Sequence, residues 1–337
     1  MTWLTESICD QWSQLPILLG PGAAAGKTYI VTGANVGIGL ETSKHLVKAS
    51  ASRVILAVRN VEAGERARVE IEKETDIRGV AEVWHLDLSS FASVKAFATK
   101  ADRELERLDV LVNNAALAYD QFTLSEGLEL SVKVNVASTF LLGALLFPKL
   151  SKSGRAHGFQ PRLVFVISAL AFAAKDDLYD LKNDDNVFDS LNQEKRAKMG
   201  TRYAATKLMQ IHLVRQLAAT FPVEQTGVII TMVDPGLCKT SLARDTNTLN
   251  RAIVSTLRVV MGRTGEEGSR TILHAIVSED HGKFHTGCKV KEHWIQPWMT
   301  DETGQKLQAK IWMELKTLLE EIEAGCFSTD DALLGGT

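Results

Sequence analysis

Two sets of residues have the types and spacing to do chemistry. The first is Thr32-Gly33-Ala34-Asn35-Val36-Gly37-Ile38-Gly39, which follows a short apolar run and precedes a helical pattern. Glycines at such a strand-to-helix turn let the backbone approach a pyrophosphate, and the helix N-terminus supplies N–H donors and a positive dipole. A merely structural tight turn is the plainer alternative. The position between strand and helix favours a phosphate cradle. The next apolar run ends Leu56-Ala57-Val58-Arg59-Asn60, with no acid to accept from a ribose 2′-hydroxyl. Arg59 instead offers a guanidinium to a 2′-phosphate, so NADP(H) is the expected cofactor. The second set is Tyr203 and Lys207 in Tyr203-Ala204-Ala205-Thr206-Lys207, four apart and on one face of a helix. That pair is weak by itself and gains weight from the glycine loop upstream.

Six short apolar runs must position these groups: 27–33, 53–58, 81–88, 108–115, 162–168 and 228–236. Helical patterns lie between them, among them one from about Glu126 to Leu150 and one from about Gly200 to Phe221. Such alternation means βαβ units and a parallel sheet covered by helices on both faces. The expected fold is α/β: a single doubly wound domain with about seven parallel strands and ligands at their carboxyl ends. We divide the chain into an N-terminal docking segment (1–26), the dinucleotide-binding and catalytic domain (27–300), and a C-terminal helix and tail (301–337). The tail helix carries Leu307, Ile311, Trp312, Leu315, Leu318 and Leu319 near one side.

Composition narrows the function classes. The chain has 337 residues, 45% hydrophobic and 23% charged, which is ordinary for a globular protein and argues against long disorder. A net charge of -3 and a pI of about 6.3 remove the basic footprint of a nucleic-acid binder. Cys9, Cys238, Cys288 and Cys326 are scattered and form no CxxC pair, and the eight histidines include no HExxH. No metal site is expected. No run of about 18 apolar residues suggests a spanning helix. The start, with Glu6 and Asp10, is a poor signal peptide, so a cytoplasmic location is expected, with peripheral membrane contact left open.

The motifs TGANVGIG, NNAA (113–116), YAATK and PGLCKT (235–240), with Asn135 and Ser168 in order between them, resemble the short-chain dehydrogenase/reductase family. The resemblance spans roughly residues 27–300, and is greatest to retinol-dehydrogenase-like and fungal reductases. It implies a Rossmann domain and a ketone- or aldehyde-reducing, alcohol-oxidising enzyme. Tyr203 would be the general acid/base, with its phenol favoured as phenolate by the Lys207 ammonium and by an oxidised nicotinamide. Lys207 would also hold the nicotinamide ribose, Ser168 would hydrogen-bond the substrate oxygen, and Asn135 would support a water relaying protons to Lys207. Gly33, Asn35, Val36, Gly37, Ile38 and Gly39 would cradle the pyrophosphate, and Arg59 and Asn60 would meet the 2′-phosphate. Asp87 and Leu88 would face the adenine, and Asn113, Asn114 and Ala115 its ribose. Pro235, Gly236, Leu237 and Thr240 would approach the nicotinamide. Two places depart from the family pattern: Ala116 stands where glycine is usual, and Ile167 where a second serine is common.

The resemblance also places a substrate-covering segment after Thr240. Leu242, Leu249, Ile253, Leu257, Val260 and Met261 would give it an apolar face, which suggests a hydrophobic ketone or alcohol, aromatic or polyketide-like, as the small-molecule substrate. Arg244, Arg251, Arg258 and Arg263 on the same stretch would also suit a membrane surface. The polar stretch at about 175–198 reads as a solvated loop with a helical turn or two, or else as a rim over the pocket. Reduction is the expected direction because cellular NADP pools are mostly reduced, and a tailoring step in secondary metabolism fits the fungal likeness. A non-catalytic dinucleotide-binding module is the alternative of another class; the joint presence of Asn135, Ser168, Tyr203 and Lys207 argues against it. A C=C reductase or isomerase on the same fold is the third reading. The Tyr203 helix and the long helix before it commonly pair two subunits in this family, unless the C-terminal helix covers that face and leaves a monomer.

Overall fold

The structure is a computed structural model, and it describes residues 3–239 and 262–327. Thr240 and the expected substrate-covering residues from Leu242 to Met261 lie outside the described residues. All six apolar runs are strands: β1 (Thr28–Thr32), β2 (Arg53–Val58), β3 (Ala81–His85), β4 (Val110–Asn113), β5 (Arg162–Val166) and β6 (Ile229–Asp234). They are buried nearly throughout, except on the edge strand β3. Two further strands, β7 (Phe284–Thr286) and β8 (Lys289–Val290), complete a sheet of order β8-β7-β6-β5-β4-β1-β2-β3. Seven strands are parallel and β8 alone runs antiparallel. The strand order reverses between β1 and β4, and the crevice above their carboxyl ends is where a doubly wound sheet takes its ligand.

Helices cover both faces. α2 (Gly37–Lys48), α3 (Val61–Thr75) and α7 (Gly265–Val277) bury Leu40, Leu46, Ile71, Ile272 and Leu273 on one side. On the other, α4 (Phe91–Glu104), α5 (Leu130–His157), α6 (Arg202–Thr220) and α8 (Glu302–Ile322) bury Phe97, Phe140, Leu208, Ile311 and Leu315. Among the described residues α5 alone is long and apolar enough to cross a membrane, and 78% of its apolar window is buried in this core. It begins later than the pattern suggests. Glu126 and Gly127 take positive φ in a tight hairpin (Leu124–Ser125 with Leu128–Glu129), and the Glu129 carboxylate then caps the helix through the Ser131 and Val132 N–H groups. A π-turn interrupts α5 at Lys133–Ser138 and carries Asn135. Such insertions are frequent at functional sites.

The 175–198 stretch is not a solvated loop. Its aspartates hide an apolar set, and Leu178, Tyr179, Leu181, Val187, Phe188 and Leu191 are all buried. The stretch forms short helices at Lys175–Tyr179 and Val187–Leu191. The Val187 N–H donates to Glu314 of α8 (2.8 Å), and the Tyr179 hydroxyl donates to the Trp298 carbonyl (2.6 Å). At the other end of the chain, α1 (Trp3–Asp10) is docked on the domain.

Candidate active site

Gly33 and Gly37 have φ of +66° and +60°, a region that glycine enters without a Cβ penalty. The loop is also packed too closely for larger residues. A Cβ on Gly39 would lie 2.6 Å from Asn114 Nδ2 and 2.7 Å from the Gly33 carbonyl oxygen; one on Gly33 would lie 3.1 Å from Ala115. Thr32 joins the two turns: its Oγ1 accepts from the N–H groups of Asn114 and Ala115, both at 2.9 Å, and its carbonyl accepts from Asn114 Nδ2 at 2.8 Å. Ala116 keeps a negative φ, so the missing glycine costs no backbone strain.

The residues present fit a dinucleotide. Val36 caps α2 with no side-chain hydrogen bond, and the first turn of α2 carries no acid. Its N–H groups are thus left to an anion from outside. Asn113, at the end of β4, is buried with an Nδ2 that has no hydrogen-bond partner, as a side chain awaiting a ligand would be. Arg59 is exposed at the end of β2. Asn60 beside it is committed to capping α3, its Oδ1 accepting from the Ala63 N–H at 2.9 Å. Asp87 accepts from the N–H and hydroxyl of Ser89 (2.9 and 2.7 Å), and Leu88 is buried. Both follow β3.

Across the switch point, Asn135 is linked to Lys207 through Gln210 and to the Tyr203 carbonyl through Thr206. Lys207 is buried on α6. Its Nζ donates to the Val166 carbonyl and to Gln210 Oε1, each at 2.8 Å, and lies 5.7 Å from the centre of the Tyr203 ring. Burial pulls its ammonium down to about 7. Four lysines are buried among the described residues. Lys44 is paired with Glu41, Glu70 and Glu74, Lys133 with Glu126, and Lys291 with Glu6 and Asp10. Lys207 alone is held by neutral oxygens.

Asn135 is fixed from three sides. Its Oδ1 accepts from the Leu117 N–H (2.8 Å), and its Nδ2 donates to the Leu117 carbonyl (2.8 Å) and to Thr206 Oγ1 (3.0 Å). Its own carbonyl accepts from Gln210 Nε2 at 2.5 Å. The span between Asn135 and Lys207, where the family likeness puts a water, is thus bridged by a side-chain amide. Ser168 follows Val166 by two residues, and its Oγ accepts from the Leu170 N–H at 3.3 Å. The turn it opens packs on α6.

Three residues in this region went unrecognised in the sequence, and a fourth, Arg263, is buried rather than turned to a membrane surface. Gln210 is one of the three. Asp234, before Pro235-Gly236, is fully buried, and desolvation pushes its carboxyl above the usual range. It accepts from the Ala169 N–H (3.2 Å) and Thr286 Oγ1 (3.1 Å), and so ties the loop after Ser168 to the β6 turn. Gln11 and Arg263 hold that turn from the side of the N-terminal segment. An acid directly before Pro-Gly was the available signal for Asp234. The other three act across contacts that no local spacing marks.

A doubly wound sheet with a glycine cradle at its switch point is a Rossmann-type nicotinamide-dinucleotide fold. The model for "short chain dehydrogenase" matches residues 27–176. A short chain dehydrogenase, atnD, of Emericella nidulans is 38% identical over 295 residues, covering 84% of this chain and 90% of its own. The chain belongs to the short-chain dehydrogenase/reductase family of oxidoreductases. Among solved structures, the fold matches a short-chain dehydrogenase of Sphingobium yanoikuyae in complex with NADPH (TM-score 0.57, 21% identity, covering 77% of this chain and 87% of that one). It also matches a 3-ketoacyl-(acyl-carrier-protein) reductase of Brucella melitensis complexed with NADH (TM-score 0.57, 21% identity, covering 78% and 97%).

Proposed function

We propose that this chain interconverts a ketone or aldehyde and an alcohol on a mostly apolar substrate, with NADP(H) as cofactor and reduction as the favoured direction. The observation that carries the reading is Lys207, among the described residues the one buried lysine left without a carboxylate, one helical turn from Tyr203. Its charge is not neutralised locally, so its field acts on the phenol above it.

The nicotinamide, when bound, supplies the hydride; the chain positions and polarises. Ser168 Oγ donates to the carbonyl oxygen of the substrate and orients it. Tyr203 gives its phenolic proton to that oxygen as the alcohol forms, and the Lys207 ammonium stabilises the phenolate left behind. Val166 and Gln210 keep that ammonium in place, while Thr206 and Leu117 keep Asn135 in place. The glycine loop, the first turn of α2 and Asn113 hold the dinucleotide. Arg59 at the end of β2, with no acid beside it, supports a 2′-phosphate and hence NADP(H). Leu170 is exposed two residues beyond Ser168, which supports an apolar substrate.

Tyr203→Phe tests the mechanism. It keeps the ring and removes the proton. The expected result is a fall in kcat of about a hundredfold or more, with the NADPH Kd unchanged by titration. Near-native kcat would remove Tyr203 from the chemistry.

A further inference from the structure

The N-terminal segment reaches the nicotinamide end of the site. Gln11, just past α1, is buried, and both ends of its carboxamide bond one residue near the far end of the domain. The Leu237 N–H donates to Gln11 Oε1 (3.1 Å), and Gln11 Nε2 donates to the Leu237 carbonyl (2.5 Å). Beside it the buried Arg263 donates to the Pro235 carbonyl (3.3 Å), to the Asp10 carbonyl and to Ser13 Oγ (3.3 Å). Gly236, at φ +79°, lies between them: a Cβ there would be 3.0 Å from both Gln11 Oε1 and Arg263 Nη1.

Elsewhere the same turn meets the cradle. A Cβ on Gly268 of α7 would lie 2.4 Å from Cys238 Sγ and 3.6 Å from both Ile38 of the glycine loop and Pro235. The turn is therefore held between α7, which packs on the cradle, and the stretch from Asp10 to Ser13. That stretch is itself anchored. The Glu6 carboxylate accepts from Trp294 Nε1 and pairs with His293, both at 2.9 Å, and the Trp3 ring meets Phe172 edge-on at 5.4 Å, in the turn after Ser168.

We propose that Gln11 is a positioning residue for the nicotinamide end of the cofactor site, its carboxamide holding the Pro235–Leu237 turn in the shape that receives the ring. The proposal rests on the cofactor reading given above. A turn built on a positive-φ glycine has many conformations to lose, and fixing it beforehand removes an ordering cost from binding. The effect must then be confined to the nicotinamide half of the ligand.

The test compares NADPH with 2′-phospho-ADP-ribose, the same molecule without its nicotinamide, by titration calorimetry on the full chain. NADH and ADP-ribose serve as a second pair. Gln11→Ala removes two hydrogen bonds at a buried place, so the NADPH Kd is expected to rise about tenfold. Binding of 2′-phospho-ADP-ribose should stay within about twofold of wild type. Gln11→Asn, one methylene too short to span both Leu237 groups, should give the same split and serves if the alanine variant does not fold. Equal loss on both ligands, or no loss on either, overturns the proposal. So does tighter NADPH binding, which would make the Gln11 carboxamide a competitor of the nicotinamide. A wild-type chain that binds neither pair overturns the cofactor reading itself, and this proposal with it.

Discussion

Replacing Lys207 by methionine should make the cofactor-free protein more stable at neutral pH and less stable at high pH. The sign follows from burial. The folded-state ammonium is pulled from 10.5 down to about 7, whereas an unfolded chain holds its lysine proton up to ~10.4. Between these limits the unfolded state binds the extra proton, so Lys207 destabilises the fold most at and below about pH 7. That penalty lifts as pH rises toward 10.5, at about 1.4 kcal/mol per pH unit. The full gap corresponds to about 5 kcal/mol. Methionine fills the aliphatic path but leaves the Val166 carbonyl and Gln210 Oε1 without their donor, at a cost of about 1 kcal/mol each. The variant should therefore gain about 3 kcal/mol at pH ~6.5, match wild type near pH ~9, and lose about 1–2 kcal/mol above that. Urea unfolding of both chains at about pH 6.5, 8 and 9.5 measures this. The difference between the two chains cancels every other titrating group. A variant destabilised equally at all three pH values would mean that Lys207 carries no desolvation penalty, and the argument from its missing carboxylate would fail.

Arg59→Ala should close the gap between NADPH and NADH affinity, mainly by weakening NADPH about tenfold or more, as expected for a lost charged contact to phosphate; equal affinities in the wild type would leave Arg59 a surface residue. The C-terminal region covers the α5–α6 face: Cys326 and Phe327 line the same apolar contact as Gly143, Ala144, Phe147, Leu217 and Phe221, and Gln308 bonds Gln216 at 3.0 Å. Light scattering is therefore expected to report a monomer near 37.0 kDa at micromolar concentration, and a dimer would mean that another face pairs.

What was legible in the sequence was what is local. A strand buried on both faces must be a short apolar run, so six strands and their order along the chain could be read directly. The glycine loop and the Tyr203–Lys207 spacing are likewise properties of one turn and one helix. β7 spans three residues and β8 two, too few to show a period. The 175–198 stretch misled because its aspartates dominate its composition while its leucines, Val187 and Phe188 do the packing. Gln11 carries no mark of its own, and Arg263 reads in the sequence as one of a basic set: their partners lie 226 and 253 residues away, and only the folded chain brings them together.

The same distinction explains how the candidate site treats charge. Among the described residues, each buried lysine other than Lys207 has a carboxylate, so these residues serve stability. At Lys207 the chain supplies two carbonyl oxygens instead. Asp234 is fully buried at the end of β6, yet its oxygens are taken by the Ala169 and Gly236 N–H groups and the Thr286 hydroxyl. A carboxylate on Lys207 would raise the ammonium back toward its ordinary value and stabilise the fold, but it would also cancel the positive field at the phenol. Neutral acceptors hold the ammonium in position without cancelling that field. The instability predicted for Lys207 and the chemistry proposed for Tyr203 are thus two consequences of one choice of partner. If Lys207→Met stabilises the apo chain while Tyr203→Phe leaves it unchanged and inactive, the cost belongs to the charge and the turnover to the proton.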